Sequence, residues 1–211
     1  MIPIKINGKK YQIPGRWEEI TYLQYEKYMK LKNPDVYALV SVFTGVPRDR
    51  WVKSKEVQGF YIILNALSFI SKKPKFKYRC PTFVKIENVD YEVPKEIDKH
   101  TVMQYEDMRA LLQMHLKSNK NEIKPDLYPS IIAVYFAPLL FGEYDAANWE
   151  KTIPLIKTLP FGEVMGMGDF FLKNFIELRT GTPGYVRKWF MIPRNYKRVL
   201  RRLGSGAFSI F

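Results

Sequence analysis

The feature that most limits what this chain can fold into is an internal repeat. Residues 4–31 (IKINGKKYQIPGRWEEITYLQYEKYMKL) align without a gap on residues 84–111 (VKIENVDYEVPKEIDKHTVMQYEDMRAL), at an offset of 80. Nine of the 28 positions are identical: Lys5/Lys85, Ile6/Ile86, Tyr11/Tyr91, Pro14/Pro94, Thr21/Thr101, Gln24/Gln104, Tyr25/Tyr105, Glu26/Glu106 and Leu31/Leu111. Chance at ordinary composition gives about two. Ile4/Val84, Ile13/Val93 and Leu23/Met103 are conservative exchanges. Each half then reads as one supersecondary unit, and the fold follows from one unit read twice.

The matched positions are those that physical chemistry selects. Asn7-Gly8 is a strong type I′ hairpin turn, because both turn residues need positive φ. A two-residue loop there sets Ile4 opposite Tyr11 and Ile2 opposite Ile13 on one face. The second copy sets Val84 opposite Tyr91, but its turn, Glu87-Asn88, lacks the glycine. Pro14 and Pro94 end the second strand of each hairpin, since proline cannot continue a ladder. Thr21-x-x-Gln24 and Thr101-x-x-Gln104 are capping boxes that satisfy orphan amides at a helix start. Tyr25 and Tyr105 then fall where a side chain packs back on the residue before the cap, Ile20 in one copy and His100 in the other.

The repeat continues after an insertion. Pro34/Pro125, Asp35/Asp126 and Tyr37/Tyr128 match at an offset of 91. The sequence predicts a hairpin over 3–13, helices over 21–32 and 34–45, a turn at Gly45-Val46-Pro47, and a helix over 55–71. A basic linker, 72–79, leads to a second hairpin over 83–93 and a helix over 101–118. A polar loop, 118–125, precedes helices over 127–141, 145–158 and 162–179. Gly181-Thr182-Pro183-Gly184 breaks the pattern. A basic helix follows over about 194–203, and residues 204–211 form a terminal tail. The fold class is α+β, mostly helical: two tandem copies of a β-hairpin plus helices unit, with a basic C-terminal tail. The parts are 1–75, 76–180 and 181–211. Trp17, Trp51 and Trp149 sit near element starts, as packing residues do. Trp189, in the run RKWFMI, reads as an anchor that docks the tail, with base stacking as its alternative.

Charge is unevenly laid over this plan. The net charge is +13, yet no acidic residue follows Glu177. That last stretch carries Arg179, Arg187, Lys188, Arg194, Lys197, Arg198, Arg201 and Arg202. So basic a segment implies a polyanionic neighbour, either nucleic acid or an acidic protein surface. A solvated helix end is the plain alternative. Arg187, Lys188, Arg194, Lys197, Arg198, Arg201 and Arg202 are the candidate contact residues. The single cysteine, Cys80, allows no intrachain disulfide and fits a reducing compartment. The N-terminal stretch lacks the apolar core of a signal peptide, and no apolar run is long enough to span a bilayer. A soluble, intracellular chain is expected.

Catalytic signatures are missing from the sequence. His100 and His115 with one cysteine do not make a zinc site, and each reads as structural or solvated. No Walker loop, G-x-G-x-x-G or G-x-S-x-G pattern occurs. The glycine run GEVMGMG (162–168) has no phosphate-loop lysine and reads as close helix packing or a flexible helix start. Lys77 and Arg79 would lower the pKa of Cys80, but no histidine is near in sequence, and a passive thiol is expected. The acidic pair Glu18-Glu19 suits a helix N-terminus. The expectation is a non-enzyme with no cofactor and no metal.

Trp17-Glu18-Glu19-Ile20-Thr21, Gln24-Tyr25 and Thr44-Gly45-Val46-Pro47 carry a resemblance. Set after an N-terminal hairpin, this pattern resembles small proteins of tailed bacteriophages. Similar segments occur in structural and assembly genes of phages of Bacteroidetes, including the crAss-like group. The resemblance covers about the first 70 residues and transfers no catalytic or binding residue. It implies a virion or morphogenesis protein. The leading expectation is an internal cargo protein, packaged in capsid or tail and ejected with the genome. It would sit beside other phage virion proteins, with phage DNA or an acidic lumen facing the basic tail. The host cytoplasm would hold it during assembly. The alternatives are a tail assembly chaperone and a sequence-independent DNA-binding protein.

Overall fold

The computed structural model describes residues 1–6, 9–53, 57–72, 78–96, 100–118 and 125–180. The Asn7-Gly8 turn, most of the 72–79 linker, the interior of the 118–125 loop, and everything from Gly181 on lie outside the described residues. The chain is mostly helical, with two antiparallel two-stranded sheets, and so is α+β. Among the described residues, no helix is long and apolar enough to cross a membrane. Two compact units emerge. The first is Met1–Phe76 with Lys157–Gly162. The second is Lys77–Ile156 with Glu163–Phe211, of which the described part ends at Thr180.

In the first unit, β1 (Ile2–Ile6) pairs with β2 (Lys9–Ile13) in the register Ile2↔Ile13 and Ile4↔Tyr11. A lone two-stranded hairpin is marginal in water, so it must bury one face on something else. Ile13 does this and is fully buried. A 3-10 turn, Trp17–Glu19, leads to Thr21, which caps α1 (Tyr22–Met29). The capping box forms in full: the Gln24 amide donates to Thr21 Oγ1 (3.2 Å), and the Thr21 amide donates to Gln24 Oε1 (2.8 Å). Gln24 Nε2 also donates to the Phe43 carbonyl (3.1 Å), tying the cap to the next helix. The helix stops three residues short of the expected end. Lys30 caps its end, and Asn33 takes a left-handed φ of 49° before Pro34.

Asp35 caps α2 (Val36–Thr44) by accepting from the Ala38 amide (2.7 Å), and it pairs with Arg48. Gly45 ends α2 at φ 70°, a left-handed geometry that costs a side-chain-bearing residue about 1 kcal/mol. Thr44 is a local hub, since its hydroxyl donates to the Val40 carbonyl and accepts from the Val46 amide and the Trp51 indole. The Trp51 contact belongs to a short helix that the sequence did not reveal, α3 (Arg48–Val52), which starts as soon as Pro47 allows. α4 (Val57–Ala66) then tightens into a 3-10 segment, Leu67–Ser71, where one continuous helix was expected.

The second unit opens on β3 (Phe83–Ile86) and β4 (Val89–Glu92), paired Val84↔Tyr91. Its turn lacks glycine, yet Glu87 (φ 50°) and Asn88 (φ 68°) both take the left-handed region. A two-residue loop between twisted strands demands that geometry, and buried Val84 and Ile86 on β3 hold the register that imposes it. Thr101 and Gln104 form the second capping box (3.2 and 3.0 Å) at the start of α5 (Val102–Ser118). Gln104 Nε2 donates to the Val134 carbonyl (2.9 Å) in α6 (Tyr128–Phe141). That helix is buried on nearly every side over its first ten residues, which makes it the apolar centre of the unit. Asp145 accepts from the Asn148 amide (2.6 Å) at the start of α7 (Ala146–Lys157). The last described helix is α8 (Phe161–Thr180). Trp17, Trp51 and Trp149 pack as expected. Each anchors its indole N–H, on the Lys72 carbonyl (2.8 Å), Thr44 Oγ1 (3.3 Å) and the Ser130 carbonyl (3.0 Å).

Candidate functional site

The seven contact residues expected from sequence, Arg187, Lys188, Arg194, Lys197, Arg198, Arg201 and Arg202, lie outside the described residues, as does Trp189. A strongly shifted ionisable group in a cleft is the usual mark of chemistry.

The shifted groups trace to hydrogen bonds, ion pairs and burial. Glu19 accepts from the Gly15 amide (2.9 Å), the N-terminal ammonium (2.5 Å) and Arg16 (2.9 Å). Led by the Gly15 amide, these bonds hold its carboxyl at about 2. A depressed carboxyl stabilises the fold above its unfolded pKa, and that contribution is lost as pH falls through the folded value. Glu19→Gln therefore costs about 1–2 kcal/mol at pH 7, after a discount for solvent at the rim, and the cost shrinks between pH 4.5 and 2. Urea titrations of both proteins at pH 7 and pH 2.5 check this; a constant difference counts against it.

In the second unit, Tyr144 donates to Asp107 (2.7 Å) and Tyr128 to Asp169 (2.5 Å). Burial pushes the Asp169 carboxyl up, and the tyrosine bond only partly offsets it. Burial alone pushes Glu163 up. Burial also pushes the Cys80 thiol up to about 11 against the opposing pull of Lys95, so it is a thiol and not a thiolate at neutral pH. The His100 ring lies 4.4 Å from that of Tyr135, and His115 is 3.8 Å from Asp126. Among the described residues, no three His, Cys, Asp or Glu side chains converge as a metal site. The glycine run is a packing device. A Cβ on Gly166 would sit 2.2 Å from the Arg79 carbonyl oxygen, and one on Gly168 would sit 2.3 Å from the Tyr128 ring.

The described long-range strand contact of the first unit lies at the start of α1. Residues 159–161 run antiparallel to residues 20–22, with Thr21 bridging Pro160. The Tyr22 amide donates to the Leu159 carbonyl (2.9 Å), and the Phe161 amide donates to the Ile20 carbonyl (2.8 Å). Phe161 is fully buried, its ring 4.0 Å from Tyr25, 6.3 Å from Tyr22 and 6.4 Å from Trp17. Lys157 pairs with Glu26 (2.8 Å), which also holds Lys30 (2.7 Å). Burial raises the Glu26 carboxyl, but the two lysines together bring it below its ordinary value. The start of α1 thus takes an extended strand of the chain itself, because the first helical N–H groups have no partner within the helix. Sequence reasoning did not single out residues 157–161. The available signal was Pro160 between two helices, flanked by Leu159 and Phe161.

Comparison with family models, curated proteins and solved structures finds no match to this chain.

Proposed function

We propose that the chain is a non-enzymatic protein of a tailed-phage particle. In this reading it is an internal cargo protein built as two tandem copies of one hairpin-plus-helices unit. The observation that carries it is electrostatic: no acidic residue follows Glu177, while eight of the 34 basic residues do. A segment of that kind binds a polyanion without sequence preference, as packaged DNA or an acidic lumen requires. The likeness of Trp17–Thr21 and Thr44–Pro47 to phage structural and assembly proteins supplies the setting. The carboxylates and the thiol described above support the non-enzymatic part, because cap bonds, ion pairs and burial account for their shifts.

The tandem-copy part is supported by two glutamines with the same double task. Gln24 and Gln104 each close a capping box and reach a carbonyl in the following helix. The two carbonyls, on Phe43 and Val134, are 91 residues apart. That is the offset at which Pro34-Asp35 meets Pro125-Asp126 in the sequence. Quantitative mass spectrometry of purified particles tests the function. A fixed copy number per particle is expected. Presence in infected cells with absence from particles would overturn the cargo reading in favour of an assembly chaperone.

A further inference from the structure

The two hairpins share a register but not a charge. Residues 2–13 carry Lys5, Lys9 and Lys10 and no acidic residue. The matching residues 82–93 carry one lysine, Lys85, against Glu87, Asp90 and Glu92. The register sets Lys5 directly opposite Lys10 in the first hairpin, where the second sets Lys85 opposite Asp90. Opposite charges facing each other across two strands stabilise a hairpin, and like charges there destabilise it. One face of the first hairpin is taken up by folding: β1 packs against α4, β2 packs against α2, and Ile13 is buried. On the other face Pro3, Lys10 and Gln12 are exposed.

We propose that the outward face of the β1–β2 hairpin is a contact surface for the phosphate backbone of a DNA duplex. Lys10 and Gln12 lie on it, and Lys5 stands opposite Lys10 in register. A phosphate lying across that lysine pair offsets the repulsion that the sequence builds into it. A two-stranded ribbon fits the DNA major groove, which brings its lysines up to the phosphates along the groove edges. Gln12, two places from Lys10 on the same strand face, offers an amide donor to a phosphate oxygen. The second hairpin supplies the contrast. Asp90 and Glu92 hold the places of Lys10 and Gln12, are exposed in the same way, and repel a phosphate. One duplicated element thus keeps its fold while its two copies present opposite charge. Contacts of this kind give affinity without sequence preference. The surface adds to the basic tail and does not rest on it, because the hairpin register alone assembles it.

The test titrates a short fluorescent DNA duplex with the full chain and reads anisotropy over a series of salt concentrations. Lys10→Asp gives the first hairpin the lysine–aspartate pair with which the second already folds, so the melting temperature holds or rises. Affinity for the duplex falls about tenfold at about 0.1 M salt, and the salt slope drops by about one to two. Gln12→Glu, which copies Glu92 with little change of shape, weakens binding about threefold or more. Lys53→Asp is the charge-matched control, since Lys53 is exposed in the same unit but outside the hairpin, and it loses about twofold at most. A loss at Lys10 no greater than at Lys53 overturns the proposal and leaves binding by the tail untouched. Absence of binding by the unaltered chain overturns it together with the DNA part of the tail reading.

Discussion

Phe161→Ala lowers the stability of the first unit by about 3–4 kcal/mol, the usual cost of emptying a fully buried phenylalanine site. The size follows from what the ring touches. Tyr25, Tyr22 and Trp17 surround it, and rigid aromatics close poorly over a void. The same ring anchors the strand whose Leu159 carbonyl takes up the Tyr22 amide and whose amide meets the Ile20 carbonyl. Loosening it therefore exposes orphan groups at the start of α1 as well. Native-state hydrogen exchange of the α1 amides reads the loss directly, and Phe161→Leu is expected to recover about half of it. A change below about 1 kcal/mol in the alanine variant would mean that the ring does not hold the strand.

Gly166→Ala is the second large effect. A new methyl would meet the Arg79 carbonyl oxygen at 2.2 Å and its carbon at 2.6 Å. Both are backbone atoms, which have no alternative rotamer, so the segment must move bodily away from α8. The expected cost is about 3 kcal/mol or more, at the upper end for overpacking, and the melting temperature falls by about 10 °C. Gly45→Ala is the contrast. Gly45 has open space around it and only its φ of 70° resists a side chain, so about 1 kcal/mol is expected. Melting curves of the two variants separate close approach from backbone strain. Equal shifts would mean that the approach at Gly166 relaxes freely.

Much of the local architecture was legible before any coordinates. The strand registers follow from two-residue turns and alternating apolar residues, and both pairings Ile4↔Tyr11 and Val84↔Tyr91 are present. The capping boxes follow from a threonine and a glutamine three residues apart, and both close. Boundaries were less legible. α3 was missed because five residues after a proline carry too little periodicity to register. The expected helix over 55–71 hid a change to 3-10 geometry, which apolar content does not distinguish.

The candidate site was the least legible part, for a reason of distance along the chain. Thr21 and Gln24 announce a helix start by themselves, because all the groups involved lie within one turn. Nothing in residues 157–161 states that they will lie across residues 20–22, since that pairing spans nearly 140 positions of sequence. Likewise, the charges near Cys80 pointed toward a lower thiol pKa, whereas packing raised it, because burial depends on segments remote in sequence. What the sequence determined alone was each hairpin, each cap and the uneven placement of charge, all set by neighbours a few residues apart. What tertiary structure decided was which distant strand covers the start of α1, because a helix end takes its last hydrogen bonds from whatever strand the fold brings to it.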